Sequence, residues 1–147
     1  MTDGVFNLDK FPAHLGLGAR IERLEAFDGT PEWYQRYGLA HESDGDEGRL
    51  VSMHTFTEPW TSWERHPNGD ELVVCVSGEM TLHQEIDGAV ATVTLHPGEA
   101  VVNAPGVWHT ADIDGTAIGL FITAGRGTEV RPREPNLRRS GIGGMPG

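Results

Sequence analysis

Two short stretches of this chain carry the side chains best suited to holding a divalent metal. One begins Glu64-Arg65-His66 and runs on to Glu71; the other ends at His109. Imidazole nitrogens combined with carboxylate oxygens suit first-row transition ions. On an extended backbone side chains alternate, so Glu64 and His66 share a face that Arg65 does not, and Glu71, Val73 and Cys75 share one on the next segment. Val107, His109 and Ala111 do the same, with Trp108 opposite. The intervening Pro67-Asn68-Gly69-Asp70 and Ala104-Pro105-Gly106 are turn chemistry, because Pro fixes φ, Gly tolerates positive φ, and Asn and Asp bond their own backbone. Two imidazoles and two carboxylates can meet at one interior point if short strands close around them.

The elements needed for this are present. Strand-like runs fall at 50–56, 60–66, 71–77, 79–86, 89–95, 100–103, 107–112 and 116–124. Turn signals separate several of them, including His96-Pro97-Gly98, Asp114-Gly115 and Asp87-Gly88, the last being a two-residue hairpin signature. Short strands so spaced predict an all-β, double-sheet jelly roll.

At this point the chain resembles the cupin superfamily. The first cupin motif, G-x5-H-x-H-x(3,4)-E-x6-G, is similar to Glu58-x5-Glu64-x-His66-x4-Glu71-x6-Gly78. The second, G-x5-P-x-G-x2-H-x3-N, is similar to Gly98-x5-Ala104-x-Gly106-x2-His109-x3-Ile113. Four positions depart. Glu58 replaces the opening Gly, Glu64 the first His, Ala104 the Pro, and Ile113 the final Asn. Pro105 stiffens the same turn that the missing Pro would have, whereas Glu64 exchanges an imidazole for a carboxylate. The resemblance implies a double-stranded β-helix barrel over roughly residues 49 to 124, with Glu64, His66, Glu71 and His109 as metal ligands. It leaves activity open, since cupins include dioxygenases, isomerases, epimerases, decarboxylases, storage proteins and sugar-binding domains.

Outside the barrel, Thr30-Pro31-Glu32 is a helix start: Thr30 can cap, Pro31 suits the first position, and Glu32 favours the positive end. Trp33, Tyr34 and Tyr37 then follow at helical spacing and predict a short helix over 31–42 with an aromatic packing face across the barrel or a partner. Residues 20–24 read as a strand, Phe6 and Leu8 as a short edge strand, and His14 as a surface residue. The chain therefore divides into an N-terminal extension with strand and helix (1–48), a barrel (49–125) and a basic, Gly-rich tail (126–147). Five arginines against two glutamates put the tail at +3, which leaves the first 125 residues at −14 of a total −11. Such a tail is expected to fold back on the acidic barrel of its own or a partner chain.

A chain of 147 residues suits one domain. The acidic balance argues against nucleic acid or anionic membrane as partner. No apolar run approaches the ~20 residues of a membrane span, and the start Met1-Thr2-Asp3-Gly4 is unlike a signal peptide, so the expected address is cytoplasmic. A single cysteine, Cys75, fits a reducing compartment.

Further candidates surround the proposed ligands. Glu64 and His54 are candidate general acids or bases. Trp60, sharing a face with Ser62 and Glu64, could stack on a ligand ring, and Cys75 could offer a thiol, though a free Cys is more often a small core residue. His83 and His96 read as structural or exposed. Two function classes follow: a metal-dependent enzyme on a small molecule, dioxygenase-like or isomerase/epimerase-like and using Fe, Mn, Ni or Zn, or a non-catalytic ligand-binding module without metal. Leu72, Val74 and Val76 make the other face of their strand apolar, and a face that needs cover predicts a homodimer.

Overall fold

The computed structural model describes residues 4–134. Among them eleven strands and one α-helix follow in order: β1 (Ala13–Gly16), β2 (Arg20–Arg23), α1 (Pro31–Ala40), β3 (Arg49–Phe56), β4 (Ser62–Arg65), β5 (Glu71–Ser77), β6 (Met80–Ile86), β7 (Ala89–Leu95), β8 (Ala100–Asn103), β9 (His109–Ile113), β10 (Ala117–Thr123) and β11 (Glu129–Pro132). They form a six-stranded sheet, β2-β1-β3-β10-β5-β8, and a five-stranded sheet, β11-β4-β9-β6-β7, with antiparallel pairing. This is the expected jelly-roll barrel with a short helix.

Alternation along each strand builds the core. Val73 and Cys75 from β5, Met80 and Leu82 from β6, Ala111 and Ile113 from β9, and Phe121 from β10 meet between the sheets. Each large side chain so buried contributes about 1.5–3 kcal/mol. The Asp87-Gly88 turn joins β6 to β7 with both residues at positive φ, 53° and 81°, as a two-residue hairpin of matching twist requires. Gly78, which ends the first motif, is needed for space as well as for its φ of 76°: a Cβ there would lie 2.2 Å from the Thr116 carbonyl oxygen.

Helix α1 starts as its cap residues dictate, with the Trp33 amide donating to Thr30 Oγ1 at 3.2 Å and Pro31 at the first turn. It ends at Ala40, two residues earlier than predicted. Its packing face is aromatic, as expected: Trp33 is fully buried against Leu24 and Leu50, with Phe27 and Tyr37 flanking. No helix among the described residues is long and apolar enough to cross a membrane.

Two expectations for the extension need correction. Phe6 and Leu8 form no strand; the first strand is at Ala13–Gly16, where β1 lies between β2 and β3. His14 lies on that central strand, not at the surface, and is 1% exposed. Its Nε2 is 2.6 Å from Asp44 Oδ2 and its Nδ1 2.7 Å from Tyr37 Oη, and Arg20 adds a 3.1 Å bond to the same Asp44 oxygen. A short flanking pattern could not reveal partners 23 to 30 residues away.

Of the basic tail, residues 126–134 are described and do fold back. Strand β11 pairs with β4, Arg126 reaches Asp46, and Arg133 reaches Asp112. Arg138, Arg139 and the Gly-rich end lie outside the described residues.

Candidate metal centre

Three strands and the loop after one of them bring the four predicted ligands together. Glu64 on β4 pairs directly with His109 on β9; His66 follows the end of β4; Glu71 opens β5 on the other sheet. His66, Glu71 and His109 are buried, and Glu64 stays partly open. Glu64, His66 and His109 each present a ligand atom within 4.8 Å of the others. Ligands about 2.0–2.2 Å from one ion lie within ~4.4 Å of each other, so small side-chain adjustments suffice. Glu71 is not of that trio but faces both imidazoles, its oxygens 3.3 Å from His66 Nε2 and 3.1 Å from His109 Nε2.

The imidazole orientations are set from behind. His109 Nδ1 is 3.1 Å from the Val107 carbonyl oxygen, which can only accept, so Nδ1 carries the hydrogen. His66 Nδ1 is 2.8 Å from Thr128 Oγ1, and that hydroxyl donates its own hydrogen to the Gly125 carbonyl at 2.9 Å. Thr128 must therefore accept from His66 Nδ1–H. In both neutral rings the lone pair then sits on Nε2, the tautomer a metal-binding histidine needs. Both Nε2 atoms are buried without a hydrogen-bond partner, with Glu71 oxygens 3.3 and 3.1 Å away. A buried polar atom so left calls for a partner, and two facing lone pairs beside two carboxylates fit a divalent ion.

Glu71 is fixed as firmly. Asn103 Nδ2 donates to one oxygen at 3.0 Å and Thr123 Oγ1 to the other at 2.7 Å, while Gln84 Nε2 bonds Asn103 Oδ1 at 2.7 Å and so orients that amide. Burial by itself would raise the pKa of Glu71, but the two imidazoles outweigh it and hold the carboxyl well below the ordinary range. Burial raises Glu64, and the Glu71 charge adds to this against the opposing pull of His66 and His109. Burial lowers His109, yet Glu71 overrides it and leaves that ring more basic than usual. The two carboxylates thus have opposite tendencies.

The other candidates are placed as follows. His54 is on β3, partly buried among Phe27, Phe56 and Phe121, and burial makes it less basic than usual. Trp60 packs on Phe56 and Phe121 with its ring centroid 6.4 Å from that of His109, and its Nε1 is buried without a partner. Cys75 is a fully buried core residue with its sulfur near the Ser77 and Gly78 carbonyls, and burial raises its thiol pKa. His83 bonds Thr92 and Asp112 on the outer face, and His96 is exposed. Tyr34 on α1 is 47% exposed; its partial burial raises the hydroxyl pKa and the Glu64 charge adds to this. Asn103, Thr123, Gln84 and Thr128 were not foreseen; an Asn on the inward face of a strand was the one available signal.

The outer face of the same sheet has no part in this chemistry. Arg131 lies over the rings of Trp63 and Trp108 and pairs with Glu85, and Arg65 covers the Trp108 ring at 4.6 Å. These contacts fasten β11 to β4.

With the geometry established, residues 54–125 match a family model described as a cupin domain. The barrel of this chain belongs to the cupin superfamily. No curated protein matches the chain. Among solved structures it is similar to a cupin-2 domain containing protein from Shewanella frigidimarina NCIMB 400, with 20% identity, coverage of 58% of this chain and 71% of that one, and a TM-score of 0.43. It is also similar to Peruvianin-I, a cysteine peptidase from Thevetia peruviana latex (18% identity, 58% and 57% covered, TM-score 0.49), and to an oxalate oxidase (16% identity, 54% and 44% covered, TM-score 0.48). The chain thus spans about half the length of the latter two.

Proposed function

We propose that this barrel holds one divalent transition ion through Glu64, His66, Glu71 and His109 and acts as a metal-dependent enzyme on a small organic molecule. The observation that carries this is the pair of buried, unpartnered Nε2 atoms whose tautomers are fixed by Thr128 and the Val107 carbonyl. Two imidazoles favour Fe, Mn, Ni or Zn over calcium. The ion, when bound, supplies Lewis acidity that polarises a substrate oxygen. Glu71, locked by Asn103 and Thr123, supplies a fixed negative charge. Glu64, partly open and with a raised pKa, can take or hold a proton at its carboxylate oxygen, and His54, partly buried among Phe27, Phe56 and Phe121, is a second such group. Phe56, Trp60 and Phe121 keep water from one side of the site. Dioxygenase-like and isomerase- or epimerase-like chemistry both use this equipment.

One observation favours a metal-free binding module instead: Glu71 lies within 3.3 Å of both imidazoles and can offset their charge unaided. Elemental analysis of protein purified without added metal separates the two. About one ion per chain is expected, and absence of metal both on purification and after reconstitution would overturn the enzyme.

The protein is further proposed to be a cytoplasmic homodimer. Helix α1 packs on Leu24 and Leu50, so it does not cover the outward face of the six-stranded sheet. There Leu120 pairs with Met53 and Val74, and Ile122 with Val51 and Leu72. Val76 and Val102 on the same face are 42% and 51% exposed. A second copy of this face provides the matching cover.

A further inference from the structure

We propose that the molecule bound in this barrel is an uncharged aromatic compound carrying a hydrogen-bond acceptor, a phenol or aryl alcohol rather than a carboxylate, a phosphate or a sugar; this rests on the barrel interior being the functional site. Three independent features specify it.

The first is shape. His54 and Phe56 from β3, Phe121 from β10 and Trp60 before β4 form a continuous set of rings with neighbouring centroids 5.6 to 6.1 Å apart. All four sit on the inner side of the barrel. His54, Phe56 and Trp60 are nonetheless only partly buried, so the space they border is open rather than filled. Flat apolar walls at this spacing take a planar ring by stacking or edge contact, and a ring against Trp60 lies beside His109.

The second is charge. Every Lys and Arg among the described residues is accounted for away from the interior. Lys10 and Arg23 lie over Phe11, Arg20 pairs with Asp44 and Arg36 with Glu25, Arg49 alternates away from the inward Leu50 with its Nε buried and without a hydrogen-bond partner, and Arg65, Arg126, Arg131 and Arg133 pair with Glu129, Asp46, Glu85 and Asp112. The interior instead carries Glu64 and Glu71. With two neutral imidazoles these two carboxylates neutralise a divalent ion completely, whereas a three-His, one-Glu set would leave +1. A carboxylate or phosphate would therefore enter as an uncompensated buried anion, and the acidic chain repels it on approach.

The third is polarity. The Trp60 indole N–H is a buried donor with no acceptor in a ring that is itself partly exposed, so a ligand oxygen seated against that ring would relieve the cost once the indole turns its N–H toward it. A sugar would need several such groups, whereas the ring walls offer only the Trp60 N–H and the His54 ring nitrogens.

The test uses full-length protein loaded with Zn²⁺, which does no redox chemistry, with metal content measured on the sample titrated. Benzyl alcohol, benzoate and glycerol are the probes, followed by calorimetry or saturation-transfer NMR. Benzyl alcohol is expected to bind at least 10-fold tighter than benzoate, with glycerol undetected. Trp60→Phe keeps the ring and loses the donor; it is expected to keep its melting temperature and its metal while weakening benzyl alcohol about 5-fold. Benzoate binding as tightly as the alcohol, binding unchanged in Trp60→Phe, or a metal-loaded protein that takes no aromatic probe would each overturn the proposal, the last while leaving the metal centre standing. Aromatic binding by a protein that takes no metal would support the proposal and remove the metal centre.

Discussion

Two regions of this molecule bury histidines, and they use them in opposite ways. In the extension, His14 has both ring nitrogens engaged, with Asp44 on one side and Tyr37 on the other. In the barrel, His66 and His109 each have Nδ1 engaged from behind and Nε2 free of any hydrogen bond, facing Glu64 and Glu71. Burial is nearly equal. The difference lies in satisfaction: a completed network holds elements together, whereas an incomplete one in a sheltered place keeps capacity for a ligand.

The sharpest way to break this contrast is to remove the histidines in turn. His66→Ala with His109→Ala should abolish stoichiometric metal, while His14→Ala should keep the metal and lower the melting temperature by about 5–10 °C, since Asp44 and Tyr37 lose a buried partner. Elemental analysis and calorimetry on both variants decide it; full metal occupancy in the double variant would end the assignment.

Next in size is Glu64. Glu64→Gln should weaken metal binding by removing a ligand charge, and Glu64→His should retain metal by building a three-imidazole set. If Glu64→Gln keeps undiminished affinity but loses turnover, Glu64 is an acid or base beside the ion rather than a ligand.

Thr128 makes a subtler case. Thr128→Val removes the acceptor that fixes the His66 tautomer and should cost about 10-fold or more in metal affinity, with Thr128→Ser close to wild type. Competition with a metal chelator measures this, and equal affinities for Val and Ser would show that the tautomer is set elsewhere.

The smallest effect is in the satisfied network. The hydrogen bond from His14, with Arg20 assisting, holds the Asp44 carboxyl below its ordinary value. A carboxylate whose pKa falls on folding stabilises above its unfolded value of about 3.9 and loses that contribution as pH drops through the lower folded value. The gap in melting temperature between wild type and Asp44→Asn should hold steady near neutrality and narrow below about pH 4. A gap that widens in acid would reverse the assigned sign.

How far the sequence shows these regions depends on the range of the contacts involved. Period-two alternation and the Gly and Pro turns are local, so strands β3 to β10 were legible, as were the inward facing of Glu64 with His66 and of Glu71 with Cys75. The helix start was legible for the same reason, being encoded in Thr30, Pro31 and Glu32. His14 was not, because its burial depends on Tyr37 and Asp44, brought in by α1 and the turn after it. Thr128 and Thr123 were equally hidden: they meet His66 and Glu71 across 62 and 52 residues, and nothing in a Thr identifies which acceptor or donor it will face.

The two sheets also end unequally. Edge strand β2 carries Arg20, Glu22 and Arg23, and edge strand β11 carries Glu129, Arg131 and Pro132, all of which discourage another strand from pairing. Edge strand β7, Ala-Val-Ala-Thr-Val-Thr-Leu, has no charge and no proline in seven residues, and β8 at the matching edge of the other sheet, Ala-Val-Val-Asn, has none either. Until β7 has closed its hairpin with β6, this is the segment through which nascent chains would join one another, so the Asp87-Gly88 turn that closes it early also protects the protein from aggregation.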